Sequence, residues 1–141
     1  MTAAQRLDHV GLNVADIDAM ERWYCDAFAF TAQHRFHLAE LDLRIVMLVD
    51  GSGQRFELLQ RSDGAPGLRG ATPAEAAATW GYGHVCFVVD DLDATHQRLL
   101  ALGARSVVDP RPSPEDGVRM AFVHDPEGNL VELITPPPAA H

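Results

Sequence analysis

Residues 81–93 read GYGHVCFVVDDLD. The part GHVCFVV has the apolar content of a buried strand, and the DDLDA that follows is a helix start. His84 stands at the strand's beginning, where a core strand would carry Val or Ile. Residues 8–19, DHVGLNVADIDA, carry the same text. His9 matches His84, Val10 matches Val85, Val14 matches Val89, Asp16 matches Asp91, Asp18 matches Asp93 and Ala19 matches Ala94. The offset is 75 (84 − 9), and it continues without a gap through Arg44/Arg119, Asp50/Asp125, Gly53/Gly128, Glu57/Glu132 and Leu58/Leu133. One unit is written twice, with one His on its first strand and one Glu on its last. A duplicated unit of about 60–70 residues is marginal alone, so the halves are expected to pack together.

The 141 residues are 47% hydrophobic, which suits one compact domain or two small halves with a shared core. The net charge of −9 argues against nucleic acid, whose phosphates need clustered Lys and Arg. No apolar stretch is long enough to span a bilayer. MTAAQRLD lacks the apolar region of a signal peptide, so a cytoplasmic location and no membrane partner are expected. Cys25 and Cys86 form no spacing motif and are expected as free thiols. Cys86 alternates with His84 and could line a pocket, but a small core residue is the simpler reading.

Along the chain, residues 7–14 alternate. His9, Gly11 and Asn13 face one way, and Val10, Leu12 and Val14 the other, toward a covering helix. Asp16 is a plausible N-cap. Ile17, Met20, Trp23, Tyr24, Ala27 and Phe28 recur at helical spacing, so a helix is expected to about Phe30. His34, Phe36 and Leu38 suggest a strand, residues 44–49 a second and residues 54–60 a third, the last two joined by the turn DGSG. Residues 61–81 form a linker, with a short helix after Thr72-Pro73 and Glu75. The second unit repeats the order: strand 83–89, a helix from Asp91 to Leu102 stopped by Gly103, and a short strand 105–108. Pro110, Pro112 and Pro114 should then make a loop. Strands 118–124 and 129–134 follow, joined by DPEG. The fold class expected is α+β: a first βαβββ module over residues 6–60, a second over 82–135, and a disordered tail at 136–141. Residues 1–5 should be frayed.

A titrating residue among apolar neighbours needs a partner. His9, Glu57, His84 and Glu132 all sit so. Two nearby buried carboxylates need a proton or cation between them. One divalent metal ion with two imidazoles and two carboxylates would satisfy all four and keep two positions open. The alternatives are two structural His–Glu pairs, or Glu residues on a solvent face. His34, His37 and His96 read as surface residues. His124 precedes DPEG and reads as turn-stabilising rather than pocket-lining, and His141 lies in the tail.

The segments DHVGLNVADIDAMERWY, FELLQ, GYGHVCFVVDDLDA and FVHDPEGNLVELI resemble the vicinal oxygen chelate superfamily. It includes glyoxalase I, methylmalonyl-CoA epimerase, extradiol dioxygenases and the fosfomycin- and bleomycin-resistance proteins. The resemblance implies paired βαβββ modules with curled, mixed β-sheets around a cleft. It places His9, Glu57, His84 and Glu132 on the four ligand positions of bacterial glyoxalase I, with one divalent ion (Zn, Ni, Co, Mn or Fe) as cofactor. It also implies a homodimer. The dioxygenases of this group use two His and one Glu, so Glu57 argues against oxygenase chemistry. The four-ligand set implies an isomerase or lyase of the glyoxalase–epimerase type. In such an enzyme the metal polarises a chelated carbonyl of a small-molecule substrate, and Glu132 or Glu57 is the catalytic base, Glu132 first. The other reading is a non-catalytic protein that sequesters an antibiotic-like ligand in the same cleft.

Glutathione-dependent members carry Arg four residues after the first ligand and Asn four after the second. Here Asn13 and Arg61 stand in those places, so the glutathione-gripping Arg is missing unless Arg61 substitutes for it. Alternation places Gly11, Asn13, Leu59, Arg61, Cys86, Leu130 and Ile134 on the ligand face, as substrate-pocket candidates. For residues 44–49 and 118–124 either face could point inward.

Overall fold

The computed structural model describes residues 4–67 and 70–137. It divides after Pro66 into two compact units. In the first, strand β1 (His9–Asn13) leads into helix α1 (Ile17–Phe28). Strands β2 (Thr31–Leu38), β3 (Leu43–Val49) and β4 (Arg55–Arg61) follow. The sheet order is β1-β4-β3-β2, with β1 parallel to β4 and the other pairs antiparallel.

Asp16 caps α1 by accepting from the Ala19 N–H at 3.0 Å. That satisfies one of the four amides a helix start leaves free. Ile17, Met20, Trp23, Tyr24 and Ala27 make its buried stripe. The stripe packs on β3 and β4, where Tyr24 meets Phe56 with ring centroids 4.9 Å apart. The helix stops at Phe28 rather than Phe30, because Ala29 turns left-handed at φ 56°.

The second unit begins with the short helix α2 (Pro73–Ala77). Thr72 accepts from the Glu75 N–H at 3.1 Å, and the Glu75 carboxylate accepts from the Ala71 N–H at 3.2 Å. Then come β5 (Val85–Val88), α3 (Leu92–Ala101), β6 (Arg105–Pro112), β7 (Arg119–His124) and β8 (Leu130–Thr135). The sheet order is β5-β8-β7-β6, again with one parallel pair, β5 and β8. Both units are therefore βαβββ with mixed sheets.

The offset of 75 recurs in the contacts. Gly11 pairs with Glu57, and Cys86 with Glu132. Val14 and Val89 donate to the carbonyls of Leu59 and Ile134. Asp91 caps α3 by accepting from the Ala94 N–H on its Oδ1, as Asp16 caps α1. Arg44 pairs with Asp18, and Arg119 with Asp93.

Three expectations are corrected here. Pro110 and Pro112 lie inside β6, not in a loop. The strand is at the sheet's edge, where a missing N–H is tolerated, and its register shifts between Ser106/Val108 and Val108/Arg111. His96 is not a surface residue; it is buried on α3. Its Nε2 lies 2.9 Å from Ser106 Oγ, tying the helix to the edge strand as Glu21–Arg35 does in the first unit. His124 does not hold the DPEG turn; its Nε2 donates to the Gly70 carbonyl at 3.3 Å. The turn is held by Asp125, buried to 2% exposure. Asp125 accepts from the Glu127 N–H at 3.0 Å, from the Asn129 N–H at 2.9 Å and from Asn129 Nδ2.

Losing that carboxylate would orphan several donors at once. Asp125→Ala is expected to cost about 2–3 kcal/mol, read as a lower urea midpoint at unchanged slope. Asp50→Ala, at the more open copy of the turn, should cost less. Equal losses at the two turns would contradict the burial argument. The readings at residues 1–3 and 138–141, frayed and disordered, lie outside the described residues.

Candidate active site

In each unit the helix covers one face of the sheet and the His–Glu pair occupies the other. In β4, Phe56 and Leu58 are buried, and Glu57 alternates with them. In β8, Val131 and Leu133 are wholly buried, and Glu132 alternates with them. Period-two geometry therefore puts both carboxylates on the side away from the helix-facing residues.

In the first unit, His9 opens β1 two residues before Gly11, the partner of Glu57. His9 Nε2 lies 3.9 Å from Glu57 Oε2, beyond hydrogen-bond reach. Gly11 leaves room for that carboxylate: a Cβ there would come within 3.3 Å of Glu57 Oε1 and of Leu59 Cδ1. His9 Nδ1 bonds Asp8 Oδ2 at 2.7 Å, and Arg55 Nη1 reaches the same oxygen at 3.0 Å. The hydrogen bond from His9 holds the Asp8 carboxyl below the usual carboxylate range, against the opposing effect of desolvation and with the charges of Arg55, His9 and Arg6 adding to it.

In the second unit, His84 sits just before β5 rather than within it. Its Nε2 lies 3.0 Å from Glu132 Oε2, and its ring meets Phe122 edge-on at 5.2 Å. Cys86 is not a core residue. It is exposed beside Glu132, its register partner. Although the residue as a whole is exposed, local burial pushes its thiol up to about 12, with the charge of Glu132 and a hydrogen bond to it adding to the shift.

The other pocket candidates fall as follows. Asn13 pairs with Leu59, Arg61 with Leu43, Leu130 with His124, and Ile134 with Val88 and Met120. Leu130 is buried. Arg61 is exposed and holds Asp63 through two 2.8 Å hydrogen bonds. Pairing also decides the open strands: Met47 is opposite Glu57 and Phe122 opposite Glu132, so both share the carboxylate faces. Asp8, Arg55, Met47 and Phe122 were not singled out by sequence. The first two come together through strand pairing, and the last two sit in strands whose apolar residues do not alternate.

Imidazole nitrogen against carboxylate oxygen, twice over, is a donor set that suits a borderline divalent ion. The 3.9 Å His9–Glu57 separation is too long for a direct hydrogen bond, whereas the 3.0 Å His84–Glu132 pair makes one. The donors come as one pair per unit; among the described residues no group of three or more His, Cys, Asp or Glu side chains forms a metal-holding cluster.

The sequence matches the Glyoxalase/Bleomycin resistance protein/Dioxygenase superfamily over residues 6–133. The chain belongs to this superfamily. It is 27% identical over 138 residues to the "Probable lactoylglutathione lyase" of Vibrio cholerae, covering 92% of this chain and 89% of that one. It is 29% identical over 103 residues to CFP32 of Mycobacterium tuberculosis, covering 73% of this chain and 38% of the length of that relative. Among solved structures, SMU.1112c is similar at a TM-score of 0.77 and 29% identity, covering 94% of this chain and 99% of that one. Superfamily members act on or bind small molecules and commonly use a divalent metal. No helix among the described residues is long and apolar enough to cross a membrane.

Proposed function

We propose that this superfamily member is a divalent-metal-dependent isomerase or lyase of the glyoxalase–epimerase type. It moves a proton at the carbon next to a carbonyl of a small molecule. His9, Glu57, His84 and Glu132 are the donors that would hold the ion, which when bound supplies Lewis-acid polarisation of that carbonyl. The observation that supports this best is the repeated pair: one His and one Glu on the sheet face away from the helix-facing residues, in both units, at the same offset.

Glu132 is the base. In the metal-free protein its Oε2 lies 3.0 Å from His84 Nε2, a bond His84 gives up to hold the ion, and the carboxylate is then free to take the proton. Glu57, opposite Met47 and 3.9 Å from His9 Nε2, is the second carboxylate and gives back a proton taken up from solvent. The net result is a shifted or inverted C–H bond with no redox change. The name of the Vibrio relative agrees with such chemistry.

Metal analysis of protein purified without chelators is the deciding measurement. Near-stoichiometric divalent metal is expected, lost together with activity in His84→Ala. A parent protein that takes up no zinc, nickel, cobalt, manganese or iron under any condition would overturn the enzyme reading. A ligand-sequestering role would then replace it.

A further inference from the structure

His9 has two ring nitrogens, and they face two different carboxylates. Nδ1 lies 2.7 Å from Asp8 Oδ2. An ionised carboxylate only accepts, so Nδ1 carries the proton. In the neutral ring Nε2 is then the lone-pair nitrogen, and it is the one facing Glu57 Oε2 at 3.9 Å. Asp8 is held in turn. Arg55 Nη1 donates to the same Oδ2 at 3.0 Å, and Arg55 is the β4 residue in register with His9. The strand pairing itself therefore brings the guanidinium to the carboxylate.

The second unit is built differently. At the offset of 75, Gly83 stands where Asp8 would be and Leu130 where Arg55 would be. His84 Nε2 bonds Glu132 directly at 3.0 Å, so it is the protonated nitrogen there.

We propose that Asp8, anchored by Arg55, is a positioning residue that fixes His9 as its Nδ1–H tautomer and turns the Nε2 lone pair toward Glu57. The consequence for metal binding rests on the reading given under Proposed function; the tautomer does not. An imidazole whose far nitrogen donates to a carboxylate is a better-oriented and more basic ligand. The two histidines are thus unequal. His9 is preset to donate an electron pair, whereas His84 must first give up its bond to Glu132.

The test uses the full chain, ¹⁵N-labelled and metal-free, with the His9 ring assigned by comparison with His9→Gln. Imidazole nitrogen shifts should show His9 as Nδ1–H in the parent, and as a mixture dominated by Nε2–H in Asp8→Ala. Asp8→Asn, whose amide oxygen still accepts, should restore the parent pattern. His84 should not change in any of them. Asp8 is exposed ahead of β1, so the variants are expected to fold. Zinc titration against a chromophoric chelator should then show Asp8→Ala weakened about 10–100-fold, with Asp8→Asn closer to the parent. A His9 that is Nε2–H in the parent, or unmoved in Asp8→Ala, overturns the inference. Zinc binding as tight in Asp8→Ala as in the parent overturns the consequence for metal binding. A parent that binds no zinc overturns the metal reading, and the nitrogen shifts still decide the role of Asp8.

Discussion

Tyr24→Ala is expected to remove about 3–5 kcal/mol of stability, the range for deleting a large buried aromatic. Tyr24 is wholly buried in α1. Its ring meets Trp23 edge-on at 4.8 Å, Phe28 stacked at 6.0 Å and Phe56 across the helix–sheet contact at 4.9 Å. Alanine would leave a hole that three rigid rings cannot collapse into. Against a total of about 5–15 kcal/mol for an ordinary domain, that is a large share. Thermal unfolding should shift down by roughly 10 °C or more. Tyr24→Phe keeps the ring and should lose under about 1.5 kcal/mol. A Tyr24→Ala protein within about 1 kcal/mol of the parent would mean that α1 does not seat on the sheet through this residue.

Glu132→Gln should act on chemistry rather than on folding. The side chain lies on the face away from the helix-facing residues; in the metal-free protein the amide oxygen of Gln can still accept from His84 Nε2–H, whose partner now lies at 3.0 Å, and that oxygen can still coordinate an ion. Metal content and unfolding temperature should therefore stay near the parent values. What is lost is a carboxylate that can take a proton, and removing a positioned base typically slows such a step by about 10²–10⁴-fold. Solvent deuterium exchange at the carbon next to the substrate's carbonyl reads this step directly. A fall of at least a hundredfold is expected in Glu132→Gln, with His84→Ala losing metal as well. Exchange at the parent rate would reduce Glu132 to a ligand and pass the role of base to Glu57.

The duplication was legible because it is written in residue types that repeat at one spacing, and local chemistry fixed much of the rest. Asp16, Asp91 and Thr72 cap helices through hydrogen bonds to amides three residues on, which neighbouring sequence can announce. Glu57 and Glu132 alternate with buried residues, so their face followed from period two. What escaped depends on partners distant in sequence. Whether Met47 and Phe122 turn toward the carboxylates is decided by strand register, because residues 44–49 are apolar on both sides. The Asp8–Arg55 contact spans 47 positions and exists because β1 lies parallel to β4. His96 is buried because Ser106, across the helix–strand packing, gives its ring nitrogen a polar partner. A surface reading of an isolated histidine misses that.

The prolines of β6 have a further effect. A β-sheet ends where its outermost strand can no longer recruit another, and a bare ladder of amides invites a neighbouring molecule to continue it. Pro110 and Pro112 contribute no N–H, and the two register shifts between Ser106 and Arg111 put the backbone out of step. A stray extended chain approaching β6 would find missing donors and a broken rhythm. The residues that disguised the strand in the sequence thus also guard this sheet margin against aggregation.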